Sequence, residues 1–106
     1  MAKYLIEATY TADGAKGLLA EGGSKRKEAV EAAIRDMGAV VECFYYAFGE
    51  RDLVVVVDAP DAISVAALNL QVAAAGGART KTTALLTPQE IDQATQKAVS
   101  YRRPGG

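Results

Sequence analysis

The chain has no histidine and no tryptophan, and only one cysteine and three prolines among 106 residues. Without histidine it cannot build a Ser-His-Asp triad, a Cys-His dyad or a histidine-rich metal site. It also lacks the side chain most often used for proton transfer near neutral pH. The lone Cys43 cannot close an internal disulfide and reads as a small buried hydrophobe. That usage suits a reducing compartment. Charge is nearly balanced, with 12 Lys+Arg against 13 Asp+Glu. The basic excess of a dedicated nucleic-acid binder is missing, so no nucleic-acid partner is expected. The longest aliphatic run, Leu53 to Val57, is far too short to span a bilayer. No apolar leader precedes the first strand pattern. The expectation is a cytoplasmic protein with no membrane partner, no metal and no cofactor.

The residues that are present make an ordinary globular composition, half of them apolar. The length fits one domain over residues 1–100, followed by a tail over 101–106, Tyr101 to Gly106. A strand is predicted at about 3–10, where aromatic and β-branched residues cluster. Thr11 to Leu19 gives one or two helical turns, broken by Gly22-Gly23. Ser24 is placed as the N-cap of a helix to Met37, with Val30, Ala33, Ile34 and Met37 at helical spacing and Gly38 just beyond its end. Val40 to Phe48 and Leu53 to Asp58 read as a hairpin around Gly49-Glu50-Arg51-Asp52. The valine run of the second of these strands suggests burial on both faces. Pro60-Asp61 opens a helix to Ala75, in which Ile63, Ala66, Ala67 and Leu70 repeat the helical spacing. Residues 79–86 form a fourth strand. Thr87-Pro88-Gln89-Glu90 is a capping box for a last helix to Val99.

The order β-α-β-β-α-β predicts an α+β, ferredoxin-like fold. Its antiparallel four-stranded sheet takes the order 4-1-3-2, with an extra C-terminal helix. Both main helices then lie on one face, and the other face is bare. Simple alternation along the second strand assigns Val41, Cys43, Tyr45 and Ala47 to the helix-packed side. It assigns Glu42, Phe44, Tyr46 and Phe48 to the bare side. Glu7, Thr9, Arg79, Lys81 and Thr83 join them there. Aromatics at that density call for a cover, so the chain is expected to be a homo-oligomer, a dimer or higher. A small molecule or anion between subunits is the accompanying expectation.

Each candidate residue has a plain structural reading beside the chemical one. Glu7, Glu42 and Tyr46 are the candidate acids and bases, although Glu7 and Lys81 also read as a cross-strand salt bridge. Arg79 and Lys81 are candidate anion clamps. Ser24, Lys25 and Arg26 follow Gly22-Gly23 into a helix start. They could hold an anion, or be a solvated basic turn. Gly49 and Asp52 bracket the hairpin turn. Asp52 could fix the turn by bonding its amides or, with Arg51, form a ligand rim. Asn69 and Gln71 stand out as polar positions in an alanine-rich helix.

Taken together, these segments resemble a known family. Tyr4-Leu5-Ile6-Glu7-Ala8-Thr9-Tyr10-Thr11, Gly14-Ala15-Lys16-Gly17-Leu18-Leu19 and Gly22-Gly23-Ser24-Lys25-Arg26 are similar to the GYD-domain family. So are Phe44-Tyr45-Tyr46-Ala47-Phe48-Gly49, Asp52, Ala59-Pro60-Asp61 and Arg79-Thr80-Lys81-Thr82-Thr83. The resemblance covers about residues 3–90. The family is named for a Gly-Tyr-Asp signature. Gly49 and Asp52 resemble its outer members, and Arg51 stands where the family has tyrosine. The resemblance implies the dimeric α/β barrel group, which includes cofactor-free monooxygenases, small isomerases and ligand-sensing regulatory domains. Three functions remain open on this reading. They are a small ligand-binding or regulatory module, a cofactor-free monooxygenase- or isomerase-like enzyme, and a purely structural assembly protein.

Overall fold

The computed structural model describes all residues, 1–106. The elements run β1 (Ala2–Tyr10), α1 (Ala12–Glu21), α2 (Gly23–Asp36), β2 (Val40–Tyr46), β3 (Leu53–Ala59), α3 (Ala62–Ala75), β4 (Ala78–Leu85) and α4 (Pro88–Thr95). The four strands form one antiparallel sheet in the order β2-β3-β1-β4, which is the expected 4-1-3-2 read from the other edge. The chain is thus α+β and ferredoxin-like, with α1, α2 and α3 on one sheet face.

The central strand β3 sets the layers. Leu53, Val55, Val57 and Ala59 are buried under the helices, and Val54, Val56 and Asp58 between them are only half-buried. The expectation of burial on both faces is therefore corrected. Within one chain, nothing covers the second face. Ile6 and Ala8 of β1, Ile34 of α2 and Val65 of α3 complete the core with Ala39. Fully burying a side chain such as Val57 or Ile34 stabilises the fold by about 1.5–3 kcal/mol.

Local signals explain most boundaries. Thr11 caps α1, its Oγ1 accepting from Gly14 N at 3.2 Å. α1 runs further than the one or two turns expected, to Glu21. Gly22, at φ 87°, then turns the chain between α1 and α2, a backbone setting that disfavours side chains. It also corrects the cap assignment. Gly22 rather than Ser24 is the N-cap of α2, and no side chain caps that end. Asp61 caps α3, accepting from Ser64 N at 2.7 Å, and that bond holds its carboxyl below the usual value. The Thr87–Glu90 capping box is present, and Glu90 is likewise held low by the Thr87 N–H. α4 stops at Thr95, short of Val99.

The apolar stripe of α3 differs from expectation. Val65, Leu68, Asn69 and Val72 face the sheet, whereas Ile63 and Leu70 are 81% and 71% exposed. The helix has no charge on any side, so both stripes satisfy helical spacing. Position relative to the Asp61 cap and the sheet decides between them.

The second strand carries the main correction. Val41 pairs with Val57, but Cys43 pairs with Val56, so Glu42 is an extra residue in the ladder. A β-bulge of this kind reverses the alternation beyond it. Phe44 and Tyr46 now stand opposite the buried Val55 and Leu53, on the helix side. Their rings meet edge to face at 5.5 Å, and Tyr46 Oη donates to the Gly23 carbonyl at 2.8 Å. Lys27 lies over the Phe44 ring, 5.9 Å from its centroid. Cys43 and Tyr45 take the bare face instead. No helix is long and apolar enough to cross a membrane.

Candidate functional site

The bare sheet face falls into cross-strand rows. Lys3 of β1 sits opposite Asp58 and Leu85, and Leu5 sits opposite Val56 and Thr83. Glu7 sits opposite Val54 and Lys81, and Thr9 opposite Arg79. One end of this face is acidic around a single lysine. Lys3 donates to Glu42 and lies 3.7 Å from Asp58. The hydrogen bond to Glu42 holds the Lys3 ammonium above its usual pKa. The middle is apolar, with Leu5, Val54, Val56 and Cys43 half-buried and Val40 and Tyr45 exposed.

The far end is a polar pocket of about 280 Å³ with no apolar residue in its lining. Glu7, Thr9, Arg79 and Lys81 reach it from β1 and β4, and Glu50 and Arg51 from the hairpin turn. Arg51 Nε lies 3.7 Å from Glu7 Oε2. The expected Glu7–Lys81 partners do stand directly opposite, but the ion pair Glu7 makes is with Arg51. Arg79 and Lys81 form no ion pair. Three cations, Arg51, Arg79 and Lys81, thus share the pocket with two carboxylates, Glu7 and Glu50.

Asp52 explains why the turn is held at this place. Its Oδ2 accepts from Tyr10 N at 2.8 Å, and its own N–H donates to the Ala8 carbonyl at 2.9 Å. Its carbonyl accepts from Ala47 N at 2.8 Å. One residue therefore ties β1, the end of β2 and the start of β3 together. The side chain bonds the neighbouring strand rather than amides of its own turn. Gly49, at φ 138°, lies in the hairpin loop outside this knot.

The candidate acids and bases are not brought together. Glu42 lies four residues along the face from Glu7's row, on the order of 13 Å away. Tyr46 is on the opposite face. The helix-start residues are also elsewhere. Ser24 and Lys25 are exposed at the start of α2, and Arg26 Nη1 lies 3.7 Å from Glu21 Oε2 on the helix side. Burial pushes the Tyr10 and Tyr46 phenols above their usual value. Sequence reading missed the inward turn of Asn69, although its isolation among apolar residues had marked it.

The chain is similar to known proteins over most of its length. The family model for the GYD domain matches residues 4–95. A curated relative from Thermus thermophilus is 35% identical over 82 residues, 77% of this chain and 85% of the relative. It is described as a glutamine synthetase and cystathionine beta-lyase binding protein. No solved structure matches the chain. The extent of these matches leads to one assignment: the chain belongs to the GYD-domain family.

Proposed function

We propose that this chain works as a homo-oligomeric binding module that takes a small anion at Arg51, Arg79 and Lys81. The observation that carries the reading is the wholly polar pocket in which Arg51, Arg79 and Lys81 outnumber Glu7 and Glu50, and Arg79 and Lys81 form no ion pair. A carboxylate or phosphate group placed there would offset the excess of positive charge. Regulatory binding fits better than catalysis, because Glu7, Glu42 and Tyr46 do not share a site.

Oligomerisation is supported by the amount of surface left open. A monomer of this mass is expected to expose about 5,700 Å², whereas the chain exposes 7523 Å². Its radius of gyration is 16.9 Å, against about 13 Å for a compact chain of this length. The exposed α4 and residues 96–106 contribute to this excess, which is larger than the ~800 Å² per partner of an ordinary interface. The apolar middle of the bare face is the natural place for a second copy, in the manner of a dimeric α/β barrel. The anion pocket would then lie at the margin of that interface.

A second reading adds a protein partner. The relative's description as a binding protein for two enzymes supports it. So does the exposed stripe of Ile63, Ala66, Ala67 and Leu70 on α3, which lies on the side away from the anion pocket. A metabolite on one face and an enzyme on the other would make a regulatory adaptor.

The anion reading is checked by titrating the full chain with inorganic phosphate, and separately with succinate, while following backbone amides. Shifts are expected at Thr9, Arg51 and residues 79–81, weakening as salt rises. Arg79→Ala and Lys81→Ala should each reduce affinity about tenfold, the worth of one charge-assisted hydrogen bond. Unchanged affinity in the double variant, or no shifts with either anion, sinks the reading.

A further inference from the structure

The opposite side of the sheet holds a second cavity, unrelated to the anion pocket. It lies where α2 and α3 splay apart over β1, β3 and β4. An inner chamber of about 120 Å³ is lined by 15 residues, of which 12 are apolar. It adjoins an outer chamber of about 410 Å³, and Tyr10, Arg26, Leu68 and Val72 line both. Alanines and glycines of α1, α2 and α3 keep the space open. The same cleft could be filled by ordinary leucines at those positions.

Tyr10 and Asn69 line this cleft, and each carries a buried polar atom without a partner, Tyr10 Oη and Asn69 Oδ1. An unsatisfied buried group costs about 1–3 kcal/mol, and folded proteins rarely keep two in one cavity without a reason. The Asn69 Nδ2 donates to Thr82 Oγ1 at 2.7 Å. If the amide were rotated, the Thr82 hydroxyl could serve as donor instead, and one amide atom would still be left free. A hydroxyl on a ligand satisfies Asn69 in either orientation, because it can donate or accept. Tyr10 remains a protonated donor at neutral pH, since burial raises its pKa. Arg26 is the cation at the cleft, 3.7 Å from Glu21 and shared by both chambers. Its guanidinium has further N–H groups for a carboxylate.

We propose that the cleft between α2, α3 and the sheet is a binding site for a small apolar carboxylic acid bearing a hydroxyl group. The apolar body fills the inner chamber, the hydroxyl meets Asn69 and Tyr10, and the carboxylate meets Arg26. Mostly apolar walls with a few convergent polar groups are the ordinary make-up of a small-molecule site.

The test uses the full chain with 4-hydroxyphenylacetate as the probe, and with phenylacetate as the analogue lacking the hydroxyl. Side-chain amide signals of Asn69 and methyl signals of Leu68 and Val72 should shift with the first. The second should bind about tenfold more weakly. Ala33→Leu places a larger side chain in both chambers from an exposed helix position, so the fold should survive, which a thermal melt confirms. Binding should be lost in that variant and weakened about tenfold in Arg26→Gln. Absence of Asn69 shifts at millimolar probe, equal affinity for both probes, or undiminished binding by Ala33→Leu would overturn the proposal. Any of these results leaves the anion pocket untouched, because the two sites lie on opposite sheet faces.

Discussion

A Gly14→Ala chain should melt on the order of 10 °C below the parent, a loss of about 2 kcal/mol for a domain of this size. A Cβ on Gly14 would sit 1.8 Å from the Gly77 carbonyl oxygen and 2.8 Å from its carbon. Both are backbone atoms, so no rotamer change relieves the contact. Alanine would gain about 1 kcal/mol of helix propensity over glycine. Overpacking of this kind costs about 3 kcal/mol, and the net is a loss. The relief available is to move α1 away. That breaks the bonds that anchor it, Thr11 N to Gly77 O at 3.0 Å and Thr11 Oγ1 to Gly76 O at 2.8 Å. Gly17→Ala in the same helix is the control. Nothing lies within 4 Å of its Cβ position, so it should stabilise the chain by up to about 1 kcal/mol. Thermal melts of the two variants should move in opposite directions. A Gly14→Ala chain as stable as the parent would contradict the close approach of α1 to the α3–β4 turn.

The second large effect concerns the bare sheet face. Val56 lies at its apolar centre, between Leu5 of β1 and Cys43 of β2. Val56→Lys puts a charge where a second copy is proposed to pack, and a buried unpaired charge costs several kcal/mol. In the isolated chain the same position is half-exposed, so the lysine can reach water. The variant should therefore sediment as a folded monomer at concentrations where the parent is a dimer or larger. A Val56→Lys chain that keeps the parent's oligomeric state would place the interface elsewhere, for example on the exposed stripe of α3.

Much of the fold was legible because its signals are local. The Thr87–Glu90 capping box, the Asp61 cap and the glycine breaks each act within a turn of chain. Strand order followed from connection rules rather than from any side chain. Two features escaped for definite physical reasons. The bulge at Glu42 leaves no mark in a pattern of Val, Glu, Cys, Phe and Tyr, which reads equally well in either phase. Only pairing with β3 shows that Phe44 and Tyr46 belong under the helices. The faces of α3 were ambiguous because Ala, Ile, Leu and Val encircle it. The candidate site was legible in part. Arg79, Lys81 and Glu7 were placed on the bare face by alternation, and the structure puts them at one pocket with Arg51. Glu42 was placed on the right face but at its other end, since position along a strand needs the register. The cleft at Tyr10 and Asn69 needed the splay of two helices, which no sequence spacing encodes.

The central claim is that the bare face exists to be covered by another copy, with an anion held at its margin. Native mass spectrometry of the chain purified from cells tests both parts in one spectrum. A dimer or larger species is predicted, carrying an added mass that is lost when Arg79 and Lys81 are both replaced by alanine. A monomer at 11.1 kDa with no added mass, at concentrations well above micromolar, would contradict the account.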